Sequence, residues 1–320
     1  HAAKPLFAQI FQGFSSDERE ETLDAWQERL FNGDAFTRQT LLEAYADLFP
    51  VLSTQEQEPV LSNLRFALST DKPKVRSAAI KTLGTIWSKI HSAETQQSVA
   101  NNLSKMLTDD KSSEVREAAV LAIKKIAADS QDPELQDFLV DQLIAALEDP
   151  DQEVSFQAAR ALGKKIPHIL RGETQETALA TLVHVMSMPE PEGGDGYVKR
   201  EIVRQLTDIC AFSPHAPLRK EALKGLLVAC SSDGRGVKSD AREALRELIR
   251  AADGSHTPLL GDREFYGAAL FQYPDAELWG HLLALTTQKS PQKTANLTEV
   301  RKKLSDADWQ VRKAAVPALR

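Results

Sequence analysis

Two cysteines, three methionines and an aromatic content of 6% among 320 residues set the first exclusions. Cys210 and Cys230 have no CxxC spacing and no histidine at ligand distance in the sequence, so a zinc ribbon and a disulfide framework are both disfavoured. They read as two free thiols in a reducing compartment. Aromatic residues are too sparse for a large aromatic core, whereas plentiful Ala and Leu suit thin layers of packed helices. No apolar run approaches the roughly 18 residues of a membrane span, and no charged-then-apolar leader opens the chain. An intracellular, cytoplasmic protein is the expectation. A cationic excess is missing too: 39 Lys and Arg stand against 46 Asp and Glu, for a net charge of −7. That balance argues mildly against a dedicated nucleic-acid binder until the charges are sorted by face.

Catalytic constellations are absent as well. The histidines His1, His91, His168, His184, His215, His256 and His281 are scattered, with no HExxH, no pair at metal spacing and no nucleophile context. His184, between Val183 and Val185 on a predicted helix, reads as a partly buried, hydrogen-bonded side chain. The glycines from Gly193 to Gly196 lack a preceding strand and a P-loop lysine, so they read as an inter-helix turn. No enzyme activity, metal or cofactor is expected.

What the chain does have is a period. Phe36, Val75, Val115, Val154, Val198, Val237 and Val311 recur at gaps of 39, 40, 39, 44, 39 and 74, the last close to two shorter periods. Self-similarity at this spacing marks a solenoid of stacked helix pairs. The clearest copy begins at Asp71, a candidate N-cap, with Pro73 in a first helical turn. Val75, Ala79, Leu83, Ile86 and Ile90 then lie on one helical face, and Ala78 and Ala79 are small enough for a neighbouring helix to approach closely. Copies follow at Asp110 with Val115, Ala118 and Ala119, at Asp149 with Val154 and Ala158, and again at Val198, Val237 and Val311. A looser one opens at Asp34 and Phe36. A second amphipathic helix precedes each copy, as at Val60, Leu61, Leu64 and Leu68. The acidic run Asp17 to Glu21 after Ser15 and Ser16 reads as helix capping.

An Asp in the turn, then Val-Arg or Val-Lys, then Ala-Ala and Leu-Gly, at a period near forty, resembles the second helix of a HEAT repeat. The resemblance covers most of the chain. It implies an all-α fold, a right-handed α-α superhelix of about seven helix pairs over residues 1–320, with second (B) helices lining the concave side. It also implies a ladder between turn Asp residues and the basic residue after Val. Asp71 with Arg76 and Asp233 with Lys238 are candidates, as are Arg116 and Arg312 with an adjacent repeat's Asp. Ser155 should interrupt such a ladder. The stretch 254–287 is irregular, the Gly193 turn accounts for the gap of 44, and the cut-looking ends at His1 and Arg320 suggest a piece of a longer chain.

Charge sorted in this register separates the helices. The B helices carry Arg76, Lys81 and Lys89, then Arg116, Lys124 and Lys125, then Arg160, Lys164 and Lys165. The first (A) helices are acidic, as from Asp17 to Glu28 and from Asp132 to Glu148. Those nine cations are the candidate partner-binding residues, although several also lie where basic side chains offset a helix dipole. The expected function is a non-enzymatic scaffold that binds a protein partner, such as an acidic peptide or domain, along the concave B-helix surface. Two alternatives stay open: a nucleic-acid binder resembling HEAT-like DNA glycosylases, and a sensor or spacer arm of a multidomain protein. In the glycosylase case Trp26, Trp87, Trp279 or Trp309 would face the groove, but Trp87 reads as core. HEAT-like chromophore lyases, with repeats nearer thirty residues, fit the period poorly.

Overall fold

The computed structural model describes residues 4–163, 172–189, 196–213, 215–234 and 236–253, and among them there is no strand. The irregular stretch 254–287, the copy at Val311 and Arg312, Lys164, Lys165, Trp279, Trp309 and the glycines Gly193 and Gly194 lie outside the described residues. Two compact units divide the chain, His1–Leu162 and Gly163–Arg320. In chain order the helices are α1 (Lys4–Gln12), α2 (Ser16–Asn32), α3 (Ala35–Leu48), α4 (Thr54–Leu68), α5 (Pro73–Ile86), α6 (Ala93–Asp109), α7 (Ser113–Asp129), α8 (Pro133–Ala145) and α9 (Gln152–Gly163). Beyond them come α10 (Gly172–Ser187), α11 (Tyr197–Phe212), α12 (Ala216–Ala229) and α13 (Val237–Asp253).

In the first unit the helices alternate between two layers. A helices α2, α4, α6 and α8 alternate with B helices α3, α5, α7 and α9; α5 packs between α3 and α7, while α4 and α6 pack on α5 and α7 respectively. The core follows the apolar stripe: Val75, Ala79, Leu83 and Ile86 are buried on α5, as are Val115, Ala119, Ile123 and Ile126 on α7. Each fully buried Val, Ile or Leu stabilises such a layer by about 1.5–3 kcal/mol, before the entropy of ordering it is subtracted. Small residues set the spacing. A Cβ added to Gly84 on α5 would stand 2.9 Å from the Cβ of Ala122, so α5 and α7 meet where neither carries a larger side chain.

Helix starts are specified locally. Ser15 and Ser53 each close a capping box with Glu18 and Glu56, and Asp34 and Asp132 accept hydrogen bonds from first-turn amides. At α5 the expectation fails. The N-cap is Lys72, without a side-chain cap bond, and Asp71 instead forms an exposed ion pair with Lys72 at 3.3 Å.

The first repeat also shifts by one residue. Phe36, expected as a buried anchor, is 77% exposed. Buried Tyr45, Leu48 and Phe49 match buried Leu83, Ile86 and Trp87, each 38 positions later, and Arg38 matches Arg76. Thr37, not Phe36, therefore stands in the place of Val75. Phe36 points where Lys74 does.

The second unit repeats the pattern. A helix α10 packs on α12 and B helix α11 packs on α13, with α11 also against α12. A Cβ on Gly225 of α12 would come within 2.7 Å of Leu206 and 2.9 Å of Val183, another close approach. Gly196 and Gly236, which open α11 and α13, have φ of 68° and 76°, a left-handed backbone that residues with a Cβ adopt with strain. In this unit Val237 is fully buried, whereas Val198 is only half-buried.

Candidate partner-binding surface

Among the described candidate cations, Arg76 and Arg116 are used inside the fold. Arg76 on α5 reaches forward to the next repeat and grips the Asp110 carboxylate in a bidentate pair at 2.7 Å for both bonds, while its Nη1 donates to the Thr70 carbonyl at 2.8 Å. Arg116 repeats the arrangement on Asp149, at 2.7 and 2.9 Å, and donates to the Asp110 carbonyl at 2.9 Å. The expected partner Asp71 is thus replaced by Asp110, one repeat onward. Asp110 joins two rungs, because its side chain accepts from Arg76 and its backbone from Arg116. Burial opposes the charged Asp110 carboxylate, but the Arg76 bonds and the Ser112 N–H outweigh it and hold its pKa below the ordinary value. Hydrogen bonding to Asp110 likewise raises the pKa of Arg76.

The ladder ends where expected. Ser155 stands in the basic position on α9, is buried, and turns its hydroxyl back to the Gln152 carbonyl at 3.1 Å. In the second unit the suggested pair of Asp233 and Lys238 does not form; both are exposed, and Arg200 on α11 instead pairs with Asp240 on α13 at 2.7 Å.

A second polar register was not anticipated. Gln57, Gln96 and Gln136, in the first turns of α4, α6 and α8, donate to the Leu52, Ile90 and Ser130 carbonyls at 3.3, 2.7 and 2.7 Å. Arg219 on α12 does the same to Ser213 at 2.6 Å. Each satisfies an orphan carbonyl at the end of the preceding B helix. The mirror role belongs to the basic residue after the anchor: Arg38 donates to the Phe31 and Gly33 carbonyls, and Lys199 to that of Met188. The signal was present in the sequence as a glutamine recurring at 39 and 40 positions.

Of the other described candidates, Lys81, Lys125 and Arg160 lie on the outer stripe of the B layer, and Lys89 lies in the turn after α5. Lys81 and Lys89 are exposed, Lys125 is exposed, Lys124 is half-buried, and Arg160 places its guanidinium 5.7 Å above the Phe156 ring. Lys81 on α5, Leu121 on α7 and Arg160 on α9 occupy equivalent positions, 40 and 39 residues apart. Leu121 is 37% exposed. The stripe is not purely basic. Glu43 and Asp47 hold the corresponding places on α3, and Glu114, Glu117 and Glu153 border the cations on α7 and α9. Burial, with a further push from Glu153, raises the pKa of Glu117, against the attraction of Lys81. On the opposite layer, burial and then Asp137 raise the pKa of Asp141.

Other residues singled out from the sequence fall into place. His184 is exposed, contrary to the expected partial burial, because its helical neighbours Val183 and Val185 point about 100° away on either side. Trp87 is buried, in the short 3-10 turn Trp87–Lys89 that follows α5, and Trp26 stacks on Phe7 at 5.1 Å. Neither is offered to a base. Cys210 and Cys230 are buried free thiols, and burial pushes the Cys210 pKa up to about 12. Among the described residues no cluster of three or more His, Cys, Asp or Glu could hold a metal, and no helix is long and apolar enough to cross a membrane.

The sequence profile of the family described as sister chromatid cohesion protein PDS5 matches residues 57–187. Among solved structures, the Pds5–Scc1 complex is similar with a TM-score of 0.55 at 11% identity, and Kap121p bound to Ste12p with 0.57 at 14%. The fold is that of a HEAT-repeat α-solenoid. Both alignments cover 98% of this chain, which spans 54% of the Pds5 chain and 39% of the Kap121p chain. Kap95p from its complex with RanGDP is a further HEAT-type likeness, with a TM-score of 0.50 and 15% identity. No curated protein matches the sequence.

Proposed function

We propose that this HEAT array is a non-enzymatic scaffold that binds an acidic protein partner on the exposed stripe of α5, α7 and α9. The observation that carries the reading is the sorting of cations. Arg76 and Arg116 are spent on the inter-repeat ladder, while Lys81, Lys125 and Arg160 are left on the outer stripe around an exposed Leu121. An apolar centre with a charged rim is the anatomy of a protein interface. The solved neighbours support it, since Pds5 is seen with Scc1 and Kap121p with Ste12p.

Labelled polyglutamate titrated against the chain and against a Lys81→Glu, Lys125→Glu double variant tests it. An exposed pair contributes up to about 1 kcal/mol, so two reversals should weaken binding by about tenfold or more. Unchanged affinity would reject the reading. A short DNA duplex titrated across a salt series checks the other class, because phosphate contacts give a steep loss of affinity with salt. Tight, salt-steep DNA binding with no polyglutamate binding would replace this reading with nucleic-acid recognition.

A further inference from the structure

Resting on that reading, we infer that the α5, α7 and α9 stripe takes an extended segment in which acidic residues stand three positions before and three positions after a central apolar residue. The argument is one of matched spacing. Lys81, Leu121 and Arg160 hold one row across three successive B helices, in the order cation, apolar, cation. Gly84 against Ala122 shows that α5 and α7 pack at close range, and helix axes in such contact lie about 8–10 Å apart. The Arg116–Asp149 pair ties the turn before α9 to α7, and Glu117 on α7 feels the charge of Glu153 on α9.

A polyproline-II segment makes a turn every three residues and rises about 3.1 Å per residue, so side chains on one face recur about every 9 Å. That repeat equals the helix spacing. A segment running across the B helices therefore presents one side chain to each helix at every third residue. Against this row the complementary series is acidic, apolar, acidic, with the exposed Leu121 receiving the centre. An α-helical segment rises only about 1.5 Å per residue and would need six or seven residues per step, without the same one-to-one register. Glu117 and Glu153 flank the row and act on specificity. An acid placed one position off meets them instead of Lys81 or Arg160, which penalises the wrong spacing.

Three synthetic peptides of one length, in a Pro and Ser background, test the inference by fluorescence anisotropy with the full chain. One carries Glu-x-x-Leu-x-x-Glu, one carries both Glu residues next to Leu, and one has Lys in place of Glu. The spaced peptide should bind about tenfold more tightly than the compact isomer, and the Lys peptide should not bind. Lys81→Glu and Arg160→Glu should each weaken the spaced peptide by about fivefold, and Lys105→Glu on α6 should not. Lys81 is exposed, so its variant keeps the test valid should Arg160→Glu disturb packing on Phe156. Equal binding of the two isomers, with sensitivity to Lys81→Glu retained, overturns the spacing and leaves the acidic-partner reading standing. Binding indifferent to both substitutions overturns both.

Discussion

Replacing Arg116 by Ala removes a side chain that holds three bonds at once, two to the Asp149 carboxylate and one to the Asp110 carbonyl. The side chains are 12% and 8% exposed, so the pair sits at the edge of the interior and not in open solvent. Breaking a fully buried pair costs about 3–5 kcal/mol, and a hydrogen bond to a charged group contributes about 1.5–3 kcal/mol. Partial access of water places Arg116→Ala near the low end, at about 3 kcal/mol. Asp149→Asn should lose roughly half as much, since the amide oxygen can still accept from Arg116 and from the Asp151 N–H, now 2.8 Å from Oδ1. The double variant Arg116→Ala, Asp149→Ala should lose less than the two single alanine changes added, by at least ~1 kcal/mol. Repeat arrays can unfold in pieces, so urea unfolding by circular dichroism should be read beside hydrogen exchange in α7 and α9. A loss for Arg116→Ala within about 0.5 kcal/mol, the range of ordinary surface substitutions, would refute the claim that the ladder joins the repeats.

Other consequences are equally direct. Gly84→Val should destabilise by at least ~2 kcal/mol in thermal unfolding, because the added methyl groups press on Ala122, whereas Gly84→Ala should be milder since helix propensity returns about 1 kcal/mol. Asp110, whose folded pKa is depressed below 3.8, contributes stability that is present above that value and lost as pH falls through the folded value. Asp110→Asn should flatten that acid limb in a pH series of urea midpoints. Glu117 has the opposite sign: its raised folded pKa makes it a destabilising group as pH rises through that value, and Glu117→Gln should remove the dependence. Cys210, buried with its pKa pushed up to about 12, should resist a thiol reagent until the chain unfolds, and rapid labelling of the native protein would contradict its placement.

The helix pairs were legible because burial repeats at a period that apolar residues record directly: Val75, Val115 and Val154 are each fully buried. The ladder was legible only in its parts. Asp71 and Arg76 are near in sequence, yet Arg76 meets its own turn only at the Thr70 carbonyl and finds its carboxylate in Asp110 of the following repeat's turn, a relation that linear spacing does not carry. Phe36 misled because an apolar residue near the expected period outweighed the signals beside it, while the Asp34 cap and Arg38 already indicated a period of 38 to Lys72 and Arg76. The carbonyl-capping glutamines were missed for a related reason, since only apolar and charged residues were placed in register. For the candidate surface, charge by helix separated cations from acids, but which cations are consumed depends on three-dimensional neighbours. Arg76 and Arg116 have carboxylate partners, and Lys81 and Lys125 stand exposed.

The most direct test of the B-helix face as a docking surface is site-specific photocrosslinking to a labelled acidic polypeptide. The crosslinker is placed at position 121 on α7, and at position 141 on α8 as the counterpart on the other layer. Crosslinks at 121 that Lys81→Glu abolishes, with none at 141, are the predicted result. Equal capture at both positions, or capture at 141 alone, would contradict it.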